Sequence, residues 1–163
     1  MKLIGQGSFT KAYLKENGRV FLDSTDPVKE CMSLGWFPEN RMFPTIERLE
    51  NGYEMDFYER PKGLKNNLSA RQWSFYKALR ALDVTVHCIY ESLYAWEKAF
   101  ANLPAKFNKE KDDLIEALNA CSNYGQDVCF EISPRNVAVK GKRLVLLDCF
   151  FMRGKLLEKR GLT

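Results

Sequence analysis

The chain has 163 residues, of which 45% are hydrophobic and 28% are charged, a composition typical of one folded globular domain and not of a disordered chain. The formal net charge is only +4, and lysines and arginines are interleaved with acidic residues, so the charge gives no strong signal for nucleic-acid binding. Five cysteines without a CxxC pair argue against a zinc site and a disulfide framework, and no apolar run reaches membrane-spanning length. We therefore expect a reduced, cytoplasmic protein.

The chain begins with predicted strands around a glycine loop. Residues 3–14 predict a strand interrupted by Gly5-Gln6-Gly7-Ser8-Phe9, where glycines allow a ligand close to the backbone and Phe9 could cover it. Asn17-Gly18 is a strong hairpin signal, and residues 19–22 predict the returning strand. A Gly-x-Gly between two strands also serves ordinary turn geometry, so this loop alone does not decide between a binding site and a plain hairpin.

A short helix and a second hairpin follow. The helix is predicted from Pro27 to about Leu34, with Asp26 as its cap. Two strand patterns on either side of residues 50–52 predict the hairpin. Proline and glycine within residues 59–63 then indicate a hinge or a boundary.

Helical periodicity replaces strand alternation after Ser69. Three helices are predicted, over residues 70–82, 84–103 and 108–122. Their aromatic stripes are expected to lie in the core. From Met152 onward we expect a short basic helix or a solvated tail.

Residues 130–150 are the most informative for chemistry. Two short apolar strands around a basic glycine turn predict a hairpin that presents Glu131, Asn136 and Asp148 at one rim. Two oxygen donors and a third acidic group can hold Mg²⁺ and a phosphate beside a nucleophile. The alternative is an ordinary buried hairpin whose end residues cap turns.

Strand patterns thus come first, then a break, then helices and one late hairpin. This segregation favours an α+β fold in two parts. The single His87 also leaves open a nucleophilic pair with Cys88 or Cys121, although a structural histidine is the simpler interpretation.

The order and spacing of these elements resemble a minimal protein kinase, most closely the small kinase domains of bacteriophages and some bacteria. The resemblance runs from Gly5 to Phe150. It implies a two-lobed α+β fold. A small antiparallel-sheet N-lobe would cover residues 1–60, and a truncated, mainly helical C-lobe would cover residues 64–163, with a hinge near residues 56–63.

The resemblance also implies a role for each matching residue. Glu131 takes the position of the catalytic aspartate, and the metal-binding positions fall on Asn136 and Asp148. Mg²⁺ and ATP are the implied cofactors. The nucleotide-binding positions fall on the glycine loop and the hinge, at Gly5, Gly7, Ser8, Phe9, Met55 and Phe57.

Several residues depart from the kinase pattern. Leu22 stands where the phosphate-binding lysine is usual, so Lys11 or Lys29 would have to supply that charge. Glu30 lies in the helix that would supply the lysine's partner. Glu131 keeps a carboxylate but adds a methylene, and a misplacement of about 1 Å can cost roughly 10²-fold in rate.

The resemblance implies two alternative functions. The first is an Mg²⁺–ATP-binding protein with weak Ser/Thr protein phosphotransferase activity of the phage type. The second is a catalytically inactive pseudokinase that binds and regulates a host or partner protein. The altered catalytic positions and the short chain after Asp148 favour the second, whereas the compactness of phage-type kinases favours the first. A third alternative, a structural or nucleic-acid-associated protein whose motifs match by chance, also stays open.

Overall fold

The first five strands form one antiparallel sheet with the order β1-β2-β3-β5-β4. In the computed structural model, which describes residues 1–162, Val20 and Leu22 lie on its buried face. The glycine-loop hairpin, the Asn17-Gly18 turn and the second hairpin are confirmed. The strands are β1 (Lys2–Gln6), β2 (Thr10–Leu14), β3 (Arg19–Ser24), β4 (Ile46–Leu49) and β5 (Gly52–Asp56).

Gly52 brings the start of β5 very close to β3. Its φ is +151°, and a Cβ at this position would lie 2.5 Å from the carbonyl oxygen of Leu22 and 2.9 Å from the ring of Phe21. Contacts that short are forbidden for carbon, so only a residue without a side chain fits between these two strands.

The first helix, α1 (Pro27–Ser33), follows the sheet's third strand as predicted. The Asp26 carboxylate accepts a hydrogen bond from the backbone nitrogen of Val28 at 3.0 Å, which caps the helix. Gly35, with a φ of +74°, follows the helix end. Helix α1 buries Val28, Cys31 and Met32 in the hydrophobic core, and the side chain of Lys29 is buried as well.

The helical half follows residue 63. Its elements are α2 (Leu64–Asn67), α3 (Ala70–Arg80), α4 (Ser92–Ala101), α5 (Asn108–Cys121) and α6 (Arg153–Lys159), with 3₁₀ turns at Ile89–Glu91, Ala105–Phe107 and Ser122–Tyr124. The predicted helices over residues 70–82 and 108–122 are confirmed within two residues at each end. No helix of residues 1–162 is both long enough and apolar enough to cross a bilayer.

The helix predicted over residues 84–103 was wrong in its first half, because α4 begins only at Ser92. Leu82, Val84 and Val86 are partly buried and alternate with exposed neighbours, a period of two that belongs to extended chain. The Ser92 hydroxyl is buried and donates to the carbonyl oxygen of Val128 at 2.6 Å, which ties the start of α4 to the core.

Four short strands complete the fold. Strand β6 (Val128–Phe130) pairs with β9 (Phe150–Met152), and β7 (Val137–Lys140) pairs with β8 (Arg143–Leu146). Gly141 and Lys142 both have a positive φ, as a two-residue hairpin turn of this kind requires. The predicted late hairpin is therefore confirmed.

One hydrophobic core runs through the sheet and the helical half. Phe150 lies at its centre, with ring centroids 5.8 Å from Phe37, 5.1 Å from Phe130 and 6.3 Å from Phe100. The aromatic stripes are core, as expected, and the architecture is α+β.

Candidate functional site

A cleft of about 380 Å³ lies between the sheet and the helical half. This volume is within the range of small-molecule sites. Eight of the predicted site residues line it together: Gly5, Gly7, Ser8, Phe9, Met55, Glu131, Asn136 and Asp148. Phe57, the ninth predicted site residue, does not line the cleft and is 48% exposed. The other lining residues are Gln6, Thr10, Ala12, Leu22, Asp26, Lys29, Arg60, Ser133, Arg135, Leu147, Phe150, Phe151, Leu156 and Arg160.

The glycine loop between β1 and β2 faces Asp148 across this cleft. The backbone nitrogen of Gly7 donates to the carbonyl oxygen of Thr10 at 2.8 Å, which closes the loop tightly. A Cβ at Gly7 would lie 3.6 Å from Oδ2 of Asp148. Because glycine has no Cβ, the backbone of the loop and the carboxylate face each other without a side chain between them.

Lys29 enters the cleft from α1 and forms an ion pair with Asp148. Its Nζ donates to Oδ1 of Asp148 and to the carbonyl oxygen of Leu147, both at 2.8 Å. The Lys29 side chain is only 4% exposed, whereas that of Asp148 is 45% exposed. Burial alone lowers the pKa of Lys29, but the carboxylates of Asp148 and Asp26 outweigh it and raise that pKa above its ordinary value. The ammonium therefore stays charged.

Asp26 is the second buried charge beside the cleft. Burial raises its pKa from 3.8 to about 6, against the opposing effects of Lys29 and of the hydrogen bond from Val28. The carboxylate thus titrates close to neutral pH while it caps α1.

Of the two lysines proposed to replace the missing one, only Lys29 lines the cleft. Lys11 is exposed on β2 and is not among the lining residues. Leu22 lies on the cleft wall at 2% exposure and offers no charge.

Glu30 does not partner the lysine, so that expectation was wrong. Its carboxylate accepts a hydrogen bond from Nη1 of Arg48 at 3.2 Å instead. Lys29 and Glu30 are adjacent on a helix, and adjacent positions point about 100° apart, so only one of them can face the cleft.

Asn136 shapes the loop that carries Glu131. Its Nδ2 donates to the carbonyl oxygen of Glu131 at 2.9 Å, and its Oδ1 accepts from the backbone nitrogen of Ser133 at 2.7 Å. Its own carbonyl oxygen accepts from the backbone nitrogens of Leu147 and Asp148, at 3.0 and 3.2 Å. The Oγ of Ser133 also donates to Oδ1 of Asn136 at 3.3 Å, so both lone pairs of the amide oxygen are used within the turn. The turn-capping interpretation therefore describes this side chain well.

Glu131 offers an accessible carboxylate at the cleft. The residue is exposed, and its backbone nitrogen donates to the carbonyl oxygen of Cys149 at 2.8 Å. Within residues 1–162, the Glu131 carboxylate has neither an ion-pair partner nor a hydrogen-bond donor. A carboxylate with free lone pairs at a cleft can accept a proton from a bound hydroxyl.

The donor set suits a magnesium ion that shares its ligands with a phosphate. No group of three or more His, Cys, Asp and Glu side chains in the described part of the chain is placed to hold a metal ion. Asp148 supplies one free carboxylate oxygen, and Mg²⁺ is commonly held by one or two carboxylates together with substrate phosphates and water. These residues fit such an ion and do not fit a metal site built from protein ligands alone.

Arg60 is a cleft residue that the sequence did not single out. Its Nη2 reaches the carbonyl oxygen of Ile4 at 3.3 Å, and its Nη1 reaches that of Arg135 at 3.4 Å. It therefore bridges β1 and the loop that precedes β7. A cation in a Pro-Gly segment carries no pattern that would have distinguished it from a solvated arginine.

Of the two alternatives expected after Met152, the short basic helix is confirmed and the solvated tail is not, and α6 also reaches the cleft. Lys159 donates to the carbonyl oxygen of Ser8, and its Nζ lies 5.3 Å from the ring centroid of Phe9. Leu156 and Arg160 line the cleft itself. The C-terminal helix thus rests on the tip of the glycine loop.

The buried cysteines do not form a nucleophilic site. A hydrogen bond with Cys31 and burial both raise the pKa of the Cys121 thiol, and burial raises that of Cys149. Cys121 is fully buried, whereas His87 is exposed, so the Cys121 version of a Cys–His pair receives no support.

No protein-family model matches the chain, and no curated protein sequence matches it either. The residues of the cleft are therefore the basis on which a function can be assigned.

Proposed function

We propose that the chain is a kinase-like protein that binds Mg²⁺–ATP in the cleft and acts as a weak Ser/Thr protein phosphotransferase of the phage type. Residues 1–60 would be its N-lobe, residues 64–163 a truncated C-lobe, and residues 56–63 the hinge. One observation carries the proposal. The backbone of the Gly5–Phe9 loop faces Asp148 across a cleft that also contains the buried ammonium of Lys29.

Each side of the cleft has a part in this proposal. Backbone N–H groups of the glycine loop would lie along the phosphates, while Met55 and Leu22 supply apolar contacts for a base. When bound, Mg²⁺–ATP supplies a transferable phosphoryl group whose charge the metal partly neutralises. Asp148 would hold the metal, and Glu131 would accept the proton of the attacking hydroxyl.

A pseudokinase that regulates a partner protein is the second candidate, and two observations favour it. Lys159 and Leu156 place α6 over the glycine loop and against the cleft. The amide oxygen of Asn136 already accepts two hydrogen bonds from Ser133 within its turn, which weakens it as a metal ligand. Under this proposal the cleft would bind nucleotide without transferring phosphate.

Nucleotide binding is tested by thermal unfolding of the purified protein with and without Mg²⁺–ATP. At 100 times Kd a ligand stabilises the folded state by about 2.7 kcal/mol, which raises Tm by several degrees in a chain of this size. Asp148→Ala should abolish the rise. Asp112→Ala, an exposed carboxylate on α5, is the matched control and should keep it. A wild-type Tm that does not respond to Mg²⁺–ATP would refute both kinase-like proposals.

Transfer of radiolabelled γ-phosphate to the protein itself or to a host lysate separates the two proposals. If Glu131 accepts the hydroxyl proton, Glu131→Ala should reduce incorporation by roughly 10²-fold or more. Glu97→Ala, which removes an exposed carboxylate on α4, is the control. Nucleotide binding without any incorporation would favour the pseudokinase.

A further inference from the structure

We infer that the cleft takes an acidic polypeptide segment, whose carboxylates are bound by Arg60, Arg135 and Arg160 beside the hydroxyl that Glu131 accepts a proton from. The inference rests on the proposed function and names its substrate class. The three arginines are exposed and line the cleft from three places: the segment between β5 and α2, the loop before β7, and the end of α6.

Arg135 and Glu131 lie on the same tight loop. Asn136 closes this loop through its hydrogen bonds with Glu131 and Ser133, and Glu131 and Arg135 are both exposed and line the cleft. Arg60 adjoins the loop, because its Nη1 reaches the carbonyl oxygen of Arg135 at 3.4 Å. A segment that presents a hydroxyl to Glu131 therefore passes two arginines on that side of the cleft.

The three guanidinium groups have donors left for a ligand. Within residues 1–162, none of them forms an ion pair. Only Arg60 donates from its side chain, to two carbonyl oxygens at the long distances of 3.3 and 3.4 Å. A guanidinium carries five N–H donors and binds a carboxylate through two parallel hydrogen bonds.

The charge of the cleft favours an acidic ligand. Three lining carboxylates accompany the arginines, but Asp26 and Asp148 both lie beside Lys29, so Glu131 is the accessible acid without a partner among the described residues. A cleft lined mainly by one sign of charge concentrates ligands of the opposite sign. A basic segment would instead bring its own cations against the arginines, and like charges repel.

A nucleic-acid strand is the other polyanion that arginines bind. Its phosphates follow one another along the whole backbone, so a strand in the cleft would bring a phosphate against the Glu131 carboxylate. An acidic polypeptide can place a neutral serine there and carry its charges on the neighbouring residues. The net charge of the chain is only +4, which gives little general attraction for nucleic acid. The polypeptide is therefore the better fit.

Fluorescence anisotropy with labelled peptides tests the inference without requiring catalysis. The three probes carry one serine flanked by glutamates, by glutamines or by lysines. An exposed ion pair contributes a factor of about 2–5 in affinity, so three arginines should favour the glutamate peptide over the glutamine peptide by roughly 10-fold or more. The lysine peptide should bind most weakly. Equal affinities for the glutamate and glutamine peptides would overturn the inference.

Arg135→Glu is the informative variant, since the guanidinium of Arg135 forms no ion pair in the described part of the chain. The glutamate peptide should bind about 5-fold or more weakly than it binds the wild type, and the lysine peptide should bind more tightly. A variant that had merely lost its fold would bind both peptides less well.

Arg143→Glu is the matched control. It makes the same change in net charge at an exposed position at the start of β8, and Arg143 does not line the cleft. This variant should keep the preference of the wild type. If Arg143→Glu shifted the preference as far as Arg135→Glu does, the effect would come from the overall charge, and the inference would be overturned.

Two further ligands distinguish the acidic polypeptide from other polyanions. Tighter binding of a labelled oligothymidylate than of the glutamate peptide, reduced in Arg135→Glu, would assign the arginines to nucleic acid. Loss of the Mg²⁺–ATP-induced rise in Tm in Arg135→Glu would assign Arg135 to the nucleotide. Either result overturns the inference.

The outcomes also separate this inference from the proposed function. If γ-phosphate is incorporated equally into the glutamate and glutamine peptides and both bind equally, the proposed function stands and the inference fails. If the glutamate peptide binds preferentially but neither Mg²⁺–ATP binding nor incorporation is observed, the proposed function fails and the preference for an acidic polypeptide stands.

Discussion

Asp26 links the stability of α1 to the charge state of the cleft. Its carboxylate caps the helix through Val28 while it lies buried near Lys29. A burial cost of this kind is usually avoided at a helix cap, where most capping carboxylates are solvated. Because burial raises the pKa of Asp26, this capping carboxylate takes up a proton at a higher pH than a solvated one would.

The pH dependence of stability should reveal this residue. Because burial raises the pKa of Asp26 from 3.8 in the unfolded chain to about 6 in the fold, the folded state binds the proton more tightly. Its contribution to the free energy of unfolding is therefore favourable below about pH 4 and is lost as the pH rises through 6. The loss amounts to roughly 2–3 kcal/mol.

Asp26→Asn is the comparison that isolates this effect, since asparagine caps helices as well as aspartate does. Urea unfolding of both proteins at pH 4.5 and 7.5 should show the wild type losing stability relative to the variant at the higher pH. An equal change in both proteins would contradict a buried, titrating Asp26.

At the scale of elements, α6 is distinguished by what it contacts. It follows β9 directly and places Lys159 on Ser8 and Phe9 at the tip of the glycine loop. A cation over an aromatic ring contributes about 0.5–1 kcal/mol at an exposed site. This is enough to order the loop and small enough for a ligand to displace.

Lys159→Ala should therefore loosen the glycine loop. We expect amide hydrogen exchange in residues 6–10 to speed up several-fold, because the substitution removes the contacts of Lys159 with Ser8 and Phe9. Exchange in the core should not change, since Lys159 makes no contact there. Lys155→Ala is the matched control, since among residues 1–162 that lysine pairs with Glu158 on the same helix and with no residue of the glycine loop. Equal exchange in the loop of both variants would show that α6 does not hold it.

Elements were predictable from the sequence where local chemistry fixes them. Asp26-Pro27 predicts the start of α1, and Asn17-Gly18 predicts a hairpin, because helix capping and turn geometry depend on residues that are neighbours in the sequence. Residues 84–88 were misassigned because three apolar residues at alternate positions also satisfy part of a helical pattern.

The candidate site was predictable only in part. Glu131, Asn136 and Asp148 converge on one cleft as the hairpin pattern indicated. The orientation of Glu30, the position of Arg60 and the docking of α6 depend on contacts between residues far apart in the chain, and no local pattern encodes those. The choice of Lys29 over Lys11 required knowing which face of α1 meets the cleft.

At the scale of the whole molecule, the two halves share one core. Leu22 and Val28 from the sheet half belong to the same buried cluster as Phe100 and Leu114 from the helical half, with Phe150 between them. Either half alone would expose to solvent the hydrophobic side chains that the other half now buries. Two units with separate stabilities are therefore not expected.

Unfolding should be a single transition. We expect far-UV circular dichroism and tryptophan fluorescence to give the same urea midpoint. Phe150→Ala should lower the free energy of unfolding by about 3–5 kcal/mol, since a buried aromatic leaves a large cavity. Phe57→Ala, at a half-exposed position, should stay within about 0.5 kcal/mol. Two separated midpoints would contradict a shared core.

Gly52 can influence the shape of the cleft without lining it. It lies on β5, the strand paired with β3, close to the carbonyl oxygen of Leu22, and Leu22 lines the cleft. A Cβ at residue 52 would lie 2.5 Å from that oxygen, so any side chain there must displace β3, the strand that carries Leu22. Residue 52 does not line the cleft, yet we expect a substitution there to change the shape of the cleft while every lining residue stays the same.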